Sequence, residues 1–265
     1  MPPQIITLVR HGQASHNVNE QYHLRDPYLT ELGESQCRTL PSRFQNAQKI
    51  EAGDGSSFPA IDLLATSPLK RTLQTTLLGF PGPISSGVPV IALSDLQETS
   101  DMPCDTGSSV EILKADPKLK TTDYGDKMEV DWEEVEKVGD VWFSKEGIYG
   151  ATPERLKERA ERVRRWLKSR GEQHVVCVLH GGFLHYLTED WTGSNDLPGT
   201  GWTNTEFRNY TFSTVPGEET KLVETEHSQK NRTNIPLGKT EMKQFIEVHL
   251  NAIRQGETLL KTEKN

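Results

Sequence analysis

Four short apolar runs, at 5–9, 61–65, 88–92 and 174–179, punctuate a chain of 265 residues. Runs of this length without alternation suit strands buried on both faces, as parallel strands are. Helical signals lie between them. Thr30 can cap a helix over 31–45, and Pro68 opens a second that runs to Leu78 before Gly79 and Pro81. Thr152, Pro153 and Glu154 start another that stops near Gly171, with proline placed at the first turn and glycine past the last. The alternation predicts an α/β three-layer sandwich, a mostly parallel central sheet with helices on both faces. A hairpin over 206–213 and 221–226 follows, separated by TVPGEE. Residues 99–150 read as an insertion over the functional edge of the sheet, with helical patterns at 108–115 and 129–138. The body is expected over 1–230, and 231–265 as a linker and amphipathic tail helix. That helix carries Met242, Phe245, Ile246, His249, Leu250 and Ile253 on one side and is expected to dock by it.

Composition narrows the partners. The net charge of −8 argues against nucleic acid, and any anionic substrate must be drawn in by a local cationic pocket. No apolar stretch approaches the ~20 residues needed to span a bilayer, so no membrane partner is expected. The start MPPQIITLVR lacks the features of a secretory signal. Cys37, Cys104 and Cys177 are odd in number and far apart, which points to a reducing, cytoplasmic setting without disulfides.

The chemistry gathers at the strand ends. The stretch LVRHGQASHN sets Arg10 and His11 just past the first apolar run, with Gly12 allowing a sharp turn behind them. In open α/β sheets, that rim is where ligands bind. ATSPLKRTLQ places Arg71 past the second run, LQE places Glu98 past the third, and VLHGG places His180 past the fourth. Guanidinium forks suit phosphate oxygens, and a neutral imidazole can be a nucleophile. Any one of these histidines alone reads as a structural residue; four strand ends sharing one theme do not.

RHGQxxxN, DPYLTELGESQ, SPLKRTLQT, LQE and VLHGG together resemble the histidine phosphatase superfamily in its phosphoglycerate mutase-like branch. The resemblance implies that His11 is the nucleophile that becomes phosphohistidine. It implies that Arg10, Arg71 and His180 surround the phosphoryl oxygens, that Glu98 donates a proton to the leaving group, and that Asn17 hydrogen-bonds the phosphoryl group. Gln13, His16, His23 and Arg25 can reach the organic half of the substrate; Gln13 and Arg25 are carried as substrate-binding candidates.

A transition state with charge spread over three oxygens needs positioning and electrostatic stabilisation, which two arginines and a second imidazole can supply. No metal or other cofactor is expected: His11/His16 and His180/His185 are each five apart, the wrong period for one helical face. Glu98 has to hold a proton beside cations and is expected to do so only once a phosphate dianion is bound. The expected substrate is a small-molecule phosphate monoester. After Glu98 the chain continues TSDMPCDTGSSVEIL, which departs from the glycine-containing segment of the family's mutases and favours hydrolysis over phosphoglycerate mutase-type transfer. A catalytically weak module that binds phosphorylated ligands is the third reading. Asp105, Thr106 and the Asp131–Trp132 region are expected on the leaving-group rim.

Overall fold

The computed structural model describes residues 2–52, 58–191 and 200–262. Seven strands form one sheet: β1 (Ile5–Arg10), β2 (Leu63–Thr66), β3 (Val90–Ala92), β4 (Val130–Asp131), β5 (His174–Leu179), β6 (Phe207–Phe212) and β7 (Leu222–Glu224). Their order is β4-β3-β2-β5-β1-β6-β7. Pairings from β4 through to β1 are parallel, and β6 and β7 add antiparallel at the β1 edge. The sheet is mostly parallel, as the four apolar runs predict.

Alternate residues of the central strands feed two cores. On one face Ile6, Leu8, Ala65, Cys177 and Leu179 pack with Leu156, Ala160 and Val163. On the other, Val9, Leu64, Val176 and Val178 pack with Leu40, Phe44 and Leu77. The helices in chain order are α1 (Glu31–Ala52), α2 (Lys70–Gly79), α3 (Pro81–Ser85), α4 (Val110–Ala115), α5 (Glu133–Glu136), α6 (Pro153–Lys168), α7 (Gly181–Thr188), α8 (Glu226–Asn231) and α9 (Lys239–Thr262). Thus α6 and α7 cover one face and α1 and α2 the other, completing three layers.

Several boundaries differ from expectation for local reasons. Helix α1 continues through Pro41 to Ala52 because Leu40 and Phe44, either side of that proline, are buried against the sheet; tertiary packing overrides propensity. Helix α2 begins at Lys70, not Pro68. Its first N–H groups are served from afar, with Asp26 Oδ1 accepting from Lys70 N at 2.9 Å, a cap that sequence proximity does not reveal. The pattern over 129–138 divides into β4 and the short α5, because Val130 and Asp131 extend the sheet beside β3.

The tail helix departs most. Met242, Ile246, Leu250 and Ile253 are exposed, whereas Glu241, Gln244, Val248 and Asn251 are buried. Helix α9 docks by a mixed face: Phe245, half-buried, packs against the core beside Val248 as expected, while Glu241 and Gln244 meet the charged end of the sheet. Among the described residues no helix is long and apolar enough to cross a membrane.

Candidate active site

The carboxyl ends of β1, β2, β3 and β5 bring Arg10, His11, Arg71, Glu98 and His180 into one buried cluster. His11 follows β1 and is 2% exposed. Its Nδ1 lies 2.6 Å from the Gly12 carbonyl oxygen. A carbonyl only accepts, so Nδ1 carries the ring proton and Nε2 presents its lone pair. That lone pair accepts from Arg71 Nε at 3.2 Å. Burial foremost, then the charges of Arg71, His16 and Arg10, holds the imidazole well below its ordinary pKa, so the ring is neutral. Behind it, Gly12 N donates to Thr75 Oγ1 at 3.1 Å. A Cβ on Gly12 would stand 2.8 Å from both Cys37 Sγ and the Gly33 carbonyl oxygen; the turn and α1 meet there too closely for a side chain.

His180 ends β5 and precedes α7. Its ring centroid lies 5.1 Å from that of His11 at 62°. Its Nε2 hydrogen-bonds Ser67 Oγ at 2.8 Å, while Nδ1 is buried with no partner among the described residues. Burial, then Arg71 and His11, holds this ring neutral as well. His16 completes a group of three, with its ring 5.8 Å from His11.

Arg71, wholly buried, donates from Nη1 to the Cys104 carbonyl at 2.6 Å and from Nη2 to Asp105 Oδ1 at 3.0 Å. Asp105 also accepts from Ser100 Oγ at 2.5 Å and from Gln244 Nε2 at 3.0 Å. Asp105 is therefore the buried counter-ion of Arg71, not a rim residue. Trp132 is likewise off the rim, packed in a core with Leu113 and Val135. Arg10 donates from Nη1 to the Trp202 carbonyl and faces Glu241 Oε1 of α9 at 3.8 Å.

The Glu98 carboxyl lies over the start of α7. Its Oε1 accepts from Thr99 N and Phe183 N, both at 2.9 Å, and its Oε2 from Gly182 N at 3.3 Å. A Cβ on Gly182 would stand 2.7 Å from Glu98 Oε1, so glycine is what lets carboxyl and helix meet. Burial, reinforced by Asp105 and opposed by Arg71, pushes Glu98 up to about 6. Part of its proton affinity is therefore built into the free protein, rather than arising only with bound phosphate. Arg159 of α6 donates from Nη2 to the carbonyls of Gln97 at 2.9 Å and Glu98 at 3.2 Å.

The remaining candidates separate. Asn17 is half-buried beside the cluster, its Nδ2 3.2 Å from His16 Nε2 and 3.4 Å from Thr240 Oγ1 of α9. Gln13 is turned to the start of α1, where Oε1 accepts from Thr30 Oγ1 at 2.8 Å. Arg25 is exposed and clamps the Gly107 carbonyl at 2.8 Å while lying over Phe143. Gln13 and Arg25 thus tie the first motif to its neighbours and are not brought to the cluster. Sequence reasoning missed Ser67, Glu241, Gln244 and Arg159. Only Ser67 had a signal, its place beside Pro68 at a strand end.

The chain matches the Histidine phosphatase superfamily (branch 1) over residues 6–230. It belongs to that superfamily. A Schizosaccharomyces pombe protein named as a probable phosphatase is 33% identical over 112 residues, covering 41% of this chain and 47% of the relative. The matched part thus spans about half of that relative's length. An Arabidopsis thaliana phosphoglycerate mutase-like protein is 29% identical over 222 residues, covering 69% of this chain and 72% of its own. Among solved structures, an Entamoeba histolytica phosphoserine phosphatase mutant holding phosphoserine shares 15% identity, over 86% of this chain and 98% of that one, with a TM-score of 0.46. The family is the one implied by the RHG, SPLKRTLQT and VLHGG segments.

Proposed function

We propose that this member of the superfamily hydrolyses a small-molecule phosphate monoester through a phosphohistidine on His11, with Glu98 as proton donor and no metal required. In the first step His11 Nε2 attacks phosphorus; the N–P bond forms as the P–O bond to the alcohol breaks. Glu98 gives its proton to the departing oxygen. In the second, water attacks phosphorus, the N–P bond breaks, and the Glu98 carboxylate takes a proton from the water. Arg10, Arg71 and His180 surround the phosphoryl oxygens as charge spreads over them, and Asn17 hydrogen-bonds the phosphoryl group from the edge. Arg71 Nε, now on the His11 lone pair, passes to a phosphoryl oxygen when phosphorus takes that place.

The observation that carries this reading is the tautomer of His11: a neutral ring pinned through Nδ1, with Nε2 turned to Arg71. Its test is turnover of p-nitrophenyl phosphate in EDTA. Wild-type protein is expected to release nitrophenol and His11→Ala to release none. Inert wild-type protein, or equal turnover by both, contradicts the reading.

A further inference from the structure

Glu241 Oε1 stands between two groups that can carry positive charge and is hydrogen-bonded to neither. It lies 3.8 Å from Arg10 Nη1 and 3.7 Å from His185 Nε2. Glu241 and His185 are both buried, and among the described residues Oε1 and Nε2 have no hydrogen-bond partner. The other carboxylate oxygen is accounted for: Oε2 accepts from Gly238 N at 2.7 Å and caps the start of α9. A Cβ on Gly181 would stand 2.6 Å from Oε1, so the start of α7 leaves room for that oxygen. Glu241 lies past residue 230, where the family match ends.

The protons around this oxygen can be placed. His185 Nδ1 is 3.0 Å from the Asp190 carbonyl oxygen, which only accepts, so Nδ1 carries a proton. In a neutral ring Nε2 would then turn its lone pair on a buried carboxylate, one acceptor against another. Burial by itself would raise Glu241, but Arg10 and His185 outweigh it and hold the carboxyl below its ordinary value. Glu241 is therefore ionised, and the proton that reconciles the two acceptors belongs on Nε2. The ring's surroundings suit a cation, because Trp191 stacks on it at 5.7 Å and 28°.

That proton bears on Arg10. Of the two guanidinium groups at the cluster, Arg71 is already matched by Asp105, while His11, His16 and His180 are neutral. Were Glu241 matched to Arg10 alone, neither guanidinium would keep a free charge for a phosphate dianion. We propose that a doubly protonated His185 offsets the charge of Glu241, so that the charge of Arg10 stays available to the phosphoryl group. His185 is thus a positioning residue that acts through Glu241. The inference rests on the phosphoryl role given to Arg10 in the hydrolytic reading above.

The test is calorimetric binding of inorganic phosphate to the full chain at neutral pH in EDTA. His185→Gln keeps a hydrogen-bond donor and drops the charge; it is expected to weaken phosphate by roughly tenfold. Adding Glu241→Gln to that variant keeps an acceptor for the α9 cap, removes the carboxylate charge and is expected to recover most of the loss. A packing role for His185 would give no recovery, since the second substitution only adds a disturbance. Unchanged affinity in His185→Gln, or no recovery in the double variant, overturns the proposal. If either variant does not fold, ¹⁵N histidine spectra of the wild-type protein decide: both ring nitrogens of His185 are expected to carry protons, and an unprotonated Nε2 overturns the proposal. Wild-type protein that binds no phosphate overturns it too. His11-dependent turnover of p-nitrophenyl phosphate in the same preparation then shows separately whether the hydrolytic reading stands.

Discussion

Arg71 and Asp105 form an ion pair, 3.0 Å from Nη2 to Oδ1, in which neither side chain touches solvent. Both charges are out of water, and each is held by further hydrogen bonds: Arg71 to the Cys104 carbonyl, Asp105 to Ser100 and Gln244. The pair fixes a guanidinium whose Nε reaches the nucleophile. Asp105→Ala would leave a buried charge without its partner, a loss of about 3–5 kcal/mol. Asp105→Asn, which keeps hydrogen-bonding capacity, should lose less stability yet still lower turnover by freeing the guanidinium. Denaturant melts with phosphatase assays check both. An unchanged melt for Asp105→Ala would remove the pair from this role.

Glu98 sets the second prediction. With its carboxyl near 6, the donor form falls as pH rises through that value, about tenfold per unit well above it. Turnover of an alkyl phosphate, which needs its oxygen protonated, should decline accordingly. An activated aryl ester should decline far less. Glu98→Gln should cost the alkyl ester about 10²–10⁴-fold in kcat/KM, which reports the first step alone, and spare the aryl ester most of that. Equal losses on both esters would exclude the donor role.

A neighbouring glycine offers an independent check on that carboxyl. Gly182→Ala adds a methyl 2.7 Å from Glu98 Oε1 without changing any charge. It should reproduce the leaving-group dependence of Glu98→Gln in weaker form. If alkyl and aryl esters slow equally, the close contact serves folding alone.

The buried histidines predict how stability follows pH. His11, His16, His174 and His180 are all held below their ordinary pKa, chiefly by burial. The folded protein thus binds fewer protons than the unfolded chain below pH 6.5. Their stabilisation is complete above that pH and is lost as pH falls towards the folded values, at up to about 1.4 kcal/mol per pH unit for each. Glu98, Asp26 and Glu224, raised by burial, act in the opposite sense, while Glu241, held low beside Arg10, acts with the histidines. The melting temperature should drop between pH 7 and 5. A flat profile over that interval would mean the rings are charged in the folded state.

Much of this was legible in the chain and some was not, for physical reasons. Short apolar runs announce buried parallel strands, and residues after a strand share one rim, so Arg10, His11, Arg71, Glu98 and His180 could be set together by counting. What tunes them could not. Asp105 and Gln244 meet across 139 positions, a contact that no local pattern encodes. Gln13 and Arg25 were drawn to the site by nearness to the first motif, yet Thr30 and Gly107 hold them elsewhere. The tail helix misled through its own pattern. Its apolar residues suggested the docking side, and of them Phe245 does pack, but the helix lies across the charged rim and there buries Glu241 and Gln244.

The claim on which the rest depends is that phosphorus passes through His11. Rapid acid-free quench of the protein during turnover of a ³²P-labelled monoester measures it directly. The account predicts a label stable to alkali and lost in acid, mapping to the peptide that contains His11 and absent from His11→Ala. Turnover with no protein-bound phosphorus at any time, or label on another residue, would contradict it.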